Sequence, residues 1–172
     1  AQLFGLKANL YQQTPQSKHN FQFVLDSLAS KDTTKHTPLD LHIGSLIIRH
    51  GAVKYDKRYI VSKSGVFSPA HISISDLSTH IIANHITDDA INLHIKKLAF
   101  RDKSGLQLNS LSFKLDANKR EASLKEFELQ LPHSDITLGD IHATYKFDNG
   151  KLVMPTLQYS GSIEQSKITL SD

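Results

Sequence analysis

The chain carries ten histidines, the side chain that most often ligates metals and titrates near neutral pH. A helical metal pair needs H-x-x-x-H, and a strand face needs ligands at alternating positions. His80 and His85 are five apart and His42 and His50 eight apart, so neither geometry is written. His42, His94 and His142 each sit between two apolar or small residues, and strand parity turns them away from the apolar side. Nucleophilic chemistry fares no better. Serine and threonine are plentiful, but GSIEQS and KSGVFS are not G-x-S-x-G elbows. The glycines are isolated, which leaves no phosphate-cradling loop. Asp88 and Asp89 are adjacent, so on a strand their carboxylates diverge, and as a turn or cap they need no catalytic role. No constellation supplies nucleophile, base and orienting group together. The expectation is a protein that is not an enzyme, with no catalytic residue, no metal and no cofactor.

Composition narrows the partners. At 172 residues the chain suits a single β-rich unit or a segment of a longer repetitive protein. Its formal charge is only +3, with acidic and basic residues interleaved as in KEFE and NKRE. No Lys/Arg run resembles a nucleic-acid arm, so no nucleic acid is expected as partner. There is no cysteine, hence no disulfide or thiol chemistry. No apolar run approaches the ~20 residues of a spanning helix, and the sequence reads as soluble in this form.

The apolar positions say more. LHIGSLII (41–48), ISISDLST (72–79), LHIKKLAF (93–100), LQLNSLSF (106–113) and ITLGDIHA (136–143) share one spacing: apolar at i, i+2 and i+5, then apolar or small at i+7. On a helix these positions fall at about 0°, 200°, 140° and 340°, which makes no stripe. On a regular strand the second pair would point opposite to the first. A β-bulge repairs the mismatch, because one extra residue returns all four side chains to one side while bending the strand. The predicted bulge pairs are Gly44-Ser45, Ser75-Asp76, Lys96-Lys97, Asn109-Ser110 and Gly139-Asp140.

Turn signals recur at hairpin-like intervals: Asp56-Lys57-Arg58, the stretches 62–65 and 102–105, Asp116 to Glu121, and the DNG of YKFDNGKLVM. The copies are unevenly spaced, which fits a meander and not a fixed-period solenoid. One segment differs. Phe21, Val24, Leu25, Leu28 and Ala29 follow helical spacing behind Asn20, which predicts a short amphipathic helix over 20–29. A polar connection follows over 30–38, and strand patterning dominates 39–172. The expected fold is therefore mainly β: a curved antiparallel meander of bulged hairpins forming an open groove or taco-like sheet, with one short N-terminal helix.

Fifteen residues are expected to line that groove, or a core. They are Leu41, Ile43, Leu46 and Ile48; Leu93, Ile95, Leu98 and Phe100; Leu106, Leu108, Leu111 and Phe113; and Ile136, Leu138 and Ile141. Patterning alone also fits an ordinary sandwich core, in which two sheets bury one another. An open apolar face would instead take long acyl chains, which ask only for apolar area at roughly 25 cal/mol per Å².

LFGLKANLYQQTPQSKHNFQFVLDSL followed by LDLHIGSLIIRHGAVKYD resembles an internal segment of the TamB / AsmA-like envelope proteins, in their Bacteroidetes form. LHIKKLAFRDKSGLQLNSLSFKLD and SDITLGDIHATYKF resemble the same family's strand pattern. The resemblance implies a β-rich periplasmic segment of an inner-membrane-anchored parent, with an apolar groove for phospholipid transport between the membranes, outer-membrane protein assembly, or both. It implies phospholipid acyl chains and neighbouring repeats of the parent chain as partners. An outer-membrane barrel partner would be met through regions absent here, since neither the anchor nor the family's C-terminal domain is present in this sequence. Two rivals stand beside it. An adhesive or carbohydrate-binding β-sandwich would want aromatic platforms, yet there is no Trp and only five scattered Tyr. A membrane barrel would want aromatic girdles, which 8% aromatic content hardly supplies.

Overall fold

The computed structural model of the chain describes residues 1–22, 40–63, 65–148 and 151–169. Of the helix expected over 20–29 only residues 20–22 are described; the rest, with the polar connection over 30–38, lies outside the described residues.

Strands dominate. Two short ones, β1 (Gln2–Phe4) and β2 (Lys7–Gln12), precede four long ones: β3 (Asp40–Lys57), β4 (His71–Thr87), β5 (Ala90–Asp102) and β6 (Gln107–Asn118). Then come β7 (Glu121–Gln130), β8 (Asp135–Leu138), β9 (Ile141–Thr144), β10 (Phe147–Asp148), β11 (Lys151–Leu152), a 3₁₀ turn (Met154–Thr156) and β12 (Gln158–Ser160). All but β10 and β11 join one sheet, ordered β1-β3-β4-β5-β6-β7-β9-β12, with β2 also on β3 and β8 also on β7. The sheet is open and does not curl over on itself. The DNG hairpin pairs β10 with β11 as a separate ribbon.

From β3 onward the neighbours are antiparallel, and tight turns whose side chains answer the backbone join β4 to β5 and β6 to β7. At the β4–β5 turn the Ala90 amide donates to the Thr87 hydroxyl at 2.9 Å. At β6–β7 the Arg120 amide donates to Asn118 Oδ1 at 2.8 Å. The N-terminal edge departs from an all-antiparallel meander: β1 and β2 run parallel to β3. Parallel neighbours need a crossover of a dozen or more residues, and the stretch between Gln12 and Asp40 supplies one.

Four of the five predicted bulge pairs lie at shifts in strand register. Gly44-Ser45 is the excess of β3 between the pairs Ile43–Ala83 and Leu46–Ile81. Ser75-Asp76 is that of β4 between Gly51–Leu77 and Val53–Ile74. Lys96-Lys97 and Asn109-Ser110 are those of β5 and β6 on either side of the pair Leu98–Leu111. At Gly139-Asp140 the chain does something else. The strand breaks into β8 and β9, and the Gly139 amide turns to donate to the Ser162 carbonyl at 2.9 Å. The Ser162 side chain stands over this position, so that a Cβ on Gly139 would overlap Ser162 Oγ. Three bulges went unforeseen, at Arg49-His50, Asn84-His85 and Glu126-Phe127. His50, Asp76 and Glu126 take left-handed φ values of 52°, 52° and 53° within strands, a conformation non-glycine residues adopt at the extra position of a bulge.

Candidate functional site

Residues directly opposite each other in neighbouring strands project from the same side of a sheet, so the register assembles the faces. One row runs Ile43–Ala83–Leu93–Leu115–Leu124–Ile141. The next runs Leu46–Ile81–Ile95–Phe113, continues through the Phe127 ring, whose centroid lies 6.5 Å from that of Phe113, and ends on Leu138. A third runs Ile48–Thr79–Leu98–Leu111–Leu129–Ile136. Leu41 pairs with Ile86 at one border, and Phe100 with Leu108 towards the other. Leu106 lies one residue before β6, its carbonyl accepting from the Asp102 amide at 2.8 Å. Of the fifteen residues singled out in the sequence, the fourteen that lie in strands thus fall on one side of the sheet.

Few of them are covered. Ile48, Ile95 and Leu108 are buried, Leu41 is exposed, and the other eleven are half-buried. Among the described residues the only other sheet is the two-stranded β10–β11 ribbon. A sandwich core needs a facing layer, and the described residues form none of comparable size. The one polar residue inside these rows is accounted for: buried Thr79 donates its hydroxyl to the carbonyl of the bulge residue Lys97 at 3.0 Å.

The opposite face is polar. His80 pairs with Lys97, His94 with Lys114, and Lys114 with Lys125. Lys114 Nζ meets Glu126 Oε1 at 2.5 Å, and this cation holds the Glu126 carboxyl below its ordinary pKa. Burial, then the Lys114 and Lys96 ammoniums, lower the pKa of His94. Among the described residues no three His, Asp or Glu side chains gather as a metal site would require.

At the β5–β6 turn Asp102 is buried. Burial pushes its carboxyl pKa up. Hydrogen bonds from the Ser104 hydroxyl and from the Ser104, Ser73 and Lys103 amides outweigh that and hold it below the usual range. The Ser73 amide lies 2.8 Å and the Ser104 amide 2.9 Å from its oxygens. This carboxylate pins a turn. The sequence marked the stretch as a turn, and nothing in it marked the buried anion.

Beyond the fifteen, Val53, Ile74, Ile81, Leu115, Leu124, Phe127 and Leu129 extend the same face. Ile74 belongs to the ISISDLST stretch, and ASLKEFEL (122–129) repeats the same spacing, a copy that sequence reasoning missed. Compared with protein-family models, curated proteins and solved structures, the chain matches none.

Proposed function

We propose that the chain is a non-enzymatic segment of a TamB/AsmA-like envelope protein whose apolar sheet face carries phospholipid acyl chains. One observation carries the reading: a continuous face of Leu, Ile and Phe crosses the open sheet with most side chains of its central rows half-buried. A monomeric soluble domain rarely leaves so wide an apolar surface without a use for it. Acyl chains fit because its three central rows offer area and, with the Thr79 hydroxyl already engaged, no polar side chain left to pair. Sheet of this kind becomes a groove when neighbouring repeats of a longer chain extend its edges and the bulges bend it. In that setting the segment lies in the periplasm as part of an inner-membrane-anchored parent and serves phospholipid transport, outer-membrane protein assembly, or both. The sequence motifs that resemble the family are the same ones that write the face.

The test places photo-crosslinking residues at Leu111 and Phe113, with Ser112 on the other side of the same strand as control. After irradiation in cells, mass spectrometry should find phospholipid attached at 111 and 113 and not at 112. Purified protein free of extractable lipid, with no acyl adduct at either position, refutes the proposal.

A further inference from the structure

A cleft of about 500 Å³ opens at the end of the sheet where β3 and β4 meet the β5–β6 turn. Its lining includes Lys54, Lys63 and Lys103, with the hydroxyl-bearing Ser62 and Ser73. None of the three ammoniums has a carboxylate partner among the described residues. The two carboxylates of the lining are already engaged. Asp102 accepts from the Ser73 and Ser104 amides, and Asp56 Oδ1 lies 2.7 Å from His71 Nδ1. That contact makes His71 Nδ1 the donor and leaves Asp56 no free charge to face the lysines. Ammoniums and hydroxyls along one cleft suit an oxyanion with several acceptor oxygens, and lysine is a standard point-charge partner for phosphate.

The loop forming one wall decides the source of that phosphate. Beside Lys63 it presents Val61 at 88%, Val66 at 59% and Phe67 at 47% exposure. Apolar side chains held outward beside lysines match an anionic membrane surface, which attracts the cations and takes the apolar tips into its headgroup layer. We propose that this end of the sheet docks onto anionic phospholipid, with a headgroup phosphate in the lysine cleft and Val61, Val66 and Phe67 dipping into the interface. The docking site stands independently of the acyl-chain reading, because Lys54 and Ser73 pair with each other on the side opposite the apolar rows.

Flotation with phosphatidylcholine vesicles, with and without phosphatidylglycerol, tests it. The protein is expected to float only with the anionic vesicles and to lose binding as salt rises. Joint replacement Lys54→Gln, Lys63→Gln and Lys103→Gln should weaken partition about 100-fold, roughly fivefold per lysine. Val61→Ser with Val66→Ser should weaken it about tenfold with every charge intact. Circular dichroism of each variant separates lost binding from lost fold. Equal flotation of parent and lysine variant overturns the proposal. So does saturable binding of inorganic phosphate, seen as amide shifts around Ser73 and Ser104, with no flotation, which would assign the cleft to a soluble phosphate. The crosslinks at Leu111 and Phe113 report on the other face and are unaffected by either result.

Discussion

Deleting Lys97 is the sharpest perturbation of the bulge mechanism. Lys96 and Lys97 occupy two positions opposite the single residue Ser112, between the pairs Ile95–Phe113 and Leu98–Leu111. With one of them gone, the side chains beyond the bulge change parity, and Leu98 and Phe100 turn to the polar face. Both are half-buried in the parent. Half of the burial free energy of a large apolar side chain is about 1 kcal/mol, or about 2 kcal/mol for the pair. Asp102 lies on the same strand beyond the deletion, and it would leave the amides of Ser73 and Ser104. Hydrogen bonds to a charged group add about 2 kcal/mol. The deletion should therefore cost about 4 kcal/mol. Lys97→Ala keeps the residue count and trims an exposed side chain, so it should stay within about 0.5 kcal/mol of the parent. Urea unfolding followed by far-ultraviolet circular dichroism gives both values by linear extrapolation. If the deletion costs no more than the alanine substitution, the extra residue is not what holds the apolar side chains on one side.

Asp102→Asn should lower stability by about 2 kcal/mol at neutral pH by weakening charge-assisted hydrogen bonds. Because its pKa is lowered in the folded state, the parent's carboxylate contribution is complete above the unfolded value of about 3.9 and is lost as pH falls through the folded one. Unfolding free energy should thus fall more steeply below about pH 4 in the parent than in Asp102→Asn, and parallel slopes would count against the assignment. Asn20 holds the outer strand β2: its Oδ1 accepts from the Tyr11 amide at 2.8 Å and its Nδ2 donates to the Asn9 carbonyl at 2.9 Å. Asn20→Ala should cost about 1–2 kcal/mol and speed hydrogen exchange at Tyr11, while amides in β5 and β6 keep their protection.

What the sequence made legible was whatever a period of two, broken at intervals, can record. Leu106, Leu108, Leu111 and Phe113 state both the face and the position of the extra residue, since no unbulged strand puts all four on one side. Glu126 shows the same signal passed over. Ala122, Leu124, Phe127 and Leu129 repeat the spacing of the five stretches, and the left-handed φ of Glu126 falls in the bulge that this spacing writes. Gly139-Asp140 carried the right spacing and produced a break, because the 160–164 segment supplies a second set of backbone partners there. Residues near the chain's end, with little apolar content, gave no warning of that competitor. The lysine cleft was equally hidden: Lys103 comes from a different hairpin than Lys54 and Lys63 and joins them on one cleft only once the strands are in register.

The register also explains how so many bulges leave one face continuous. Along β3 and β4 the fifteen steps from Leu41 to Asp56 face fifteen from Ile86 to His71, although each strand carries two bulges. Along β5 and β6 the ten steps from Ile91 to Arg101 face ten from Ala117 to Gln107, with one bulge in each. An extra residue on one strand alone slides every later pair by one. This happens between β6 and β7, where seven steps from Ser110 to Ala117 face eight from Gln130 to Ala122 and the broken period of β7 keeps Leu124 and Leu129 on the apolar side. Placing a matching excess on the neighbour, a few residues further on, restores the pairing while both strands keep their added twist. Bulges offset in this way leave hairpin ends aligned and apolar rows unbroken, at the cost of unpaired backbone groups such as the one Thr79 answers at Lys97.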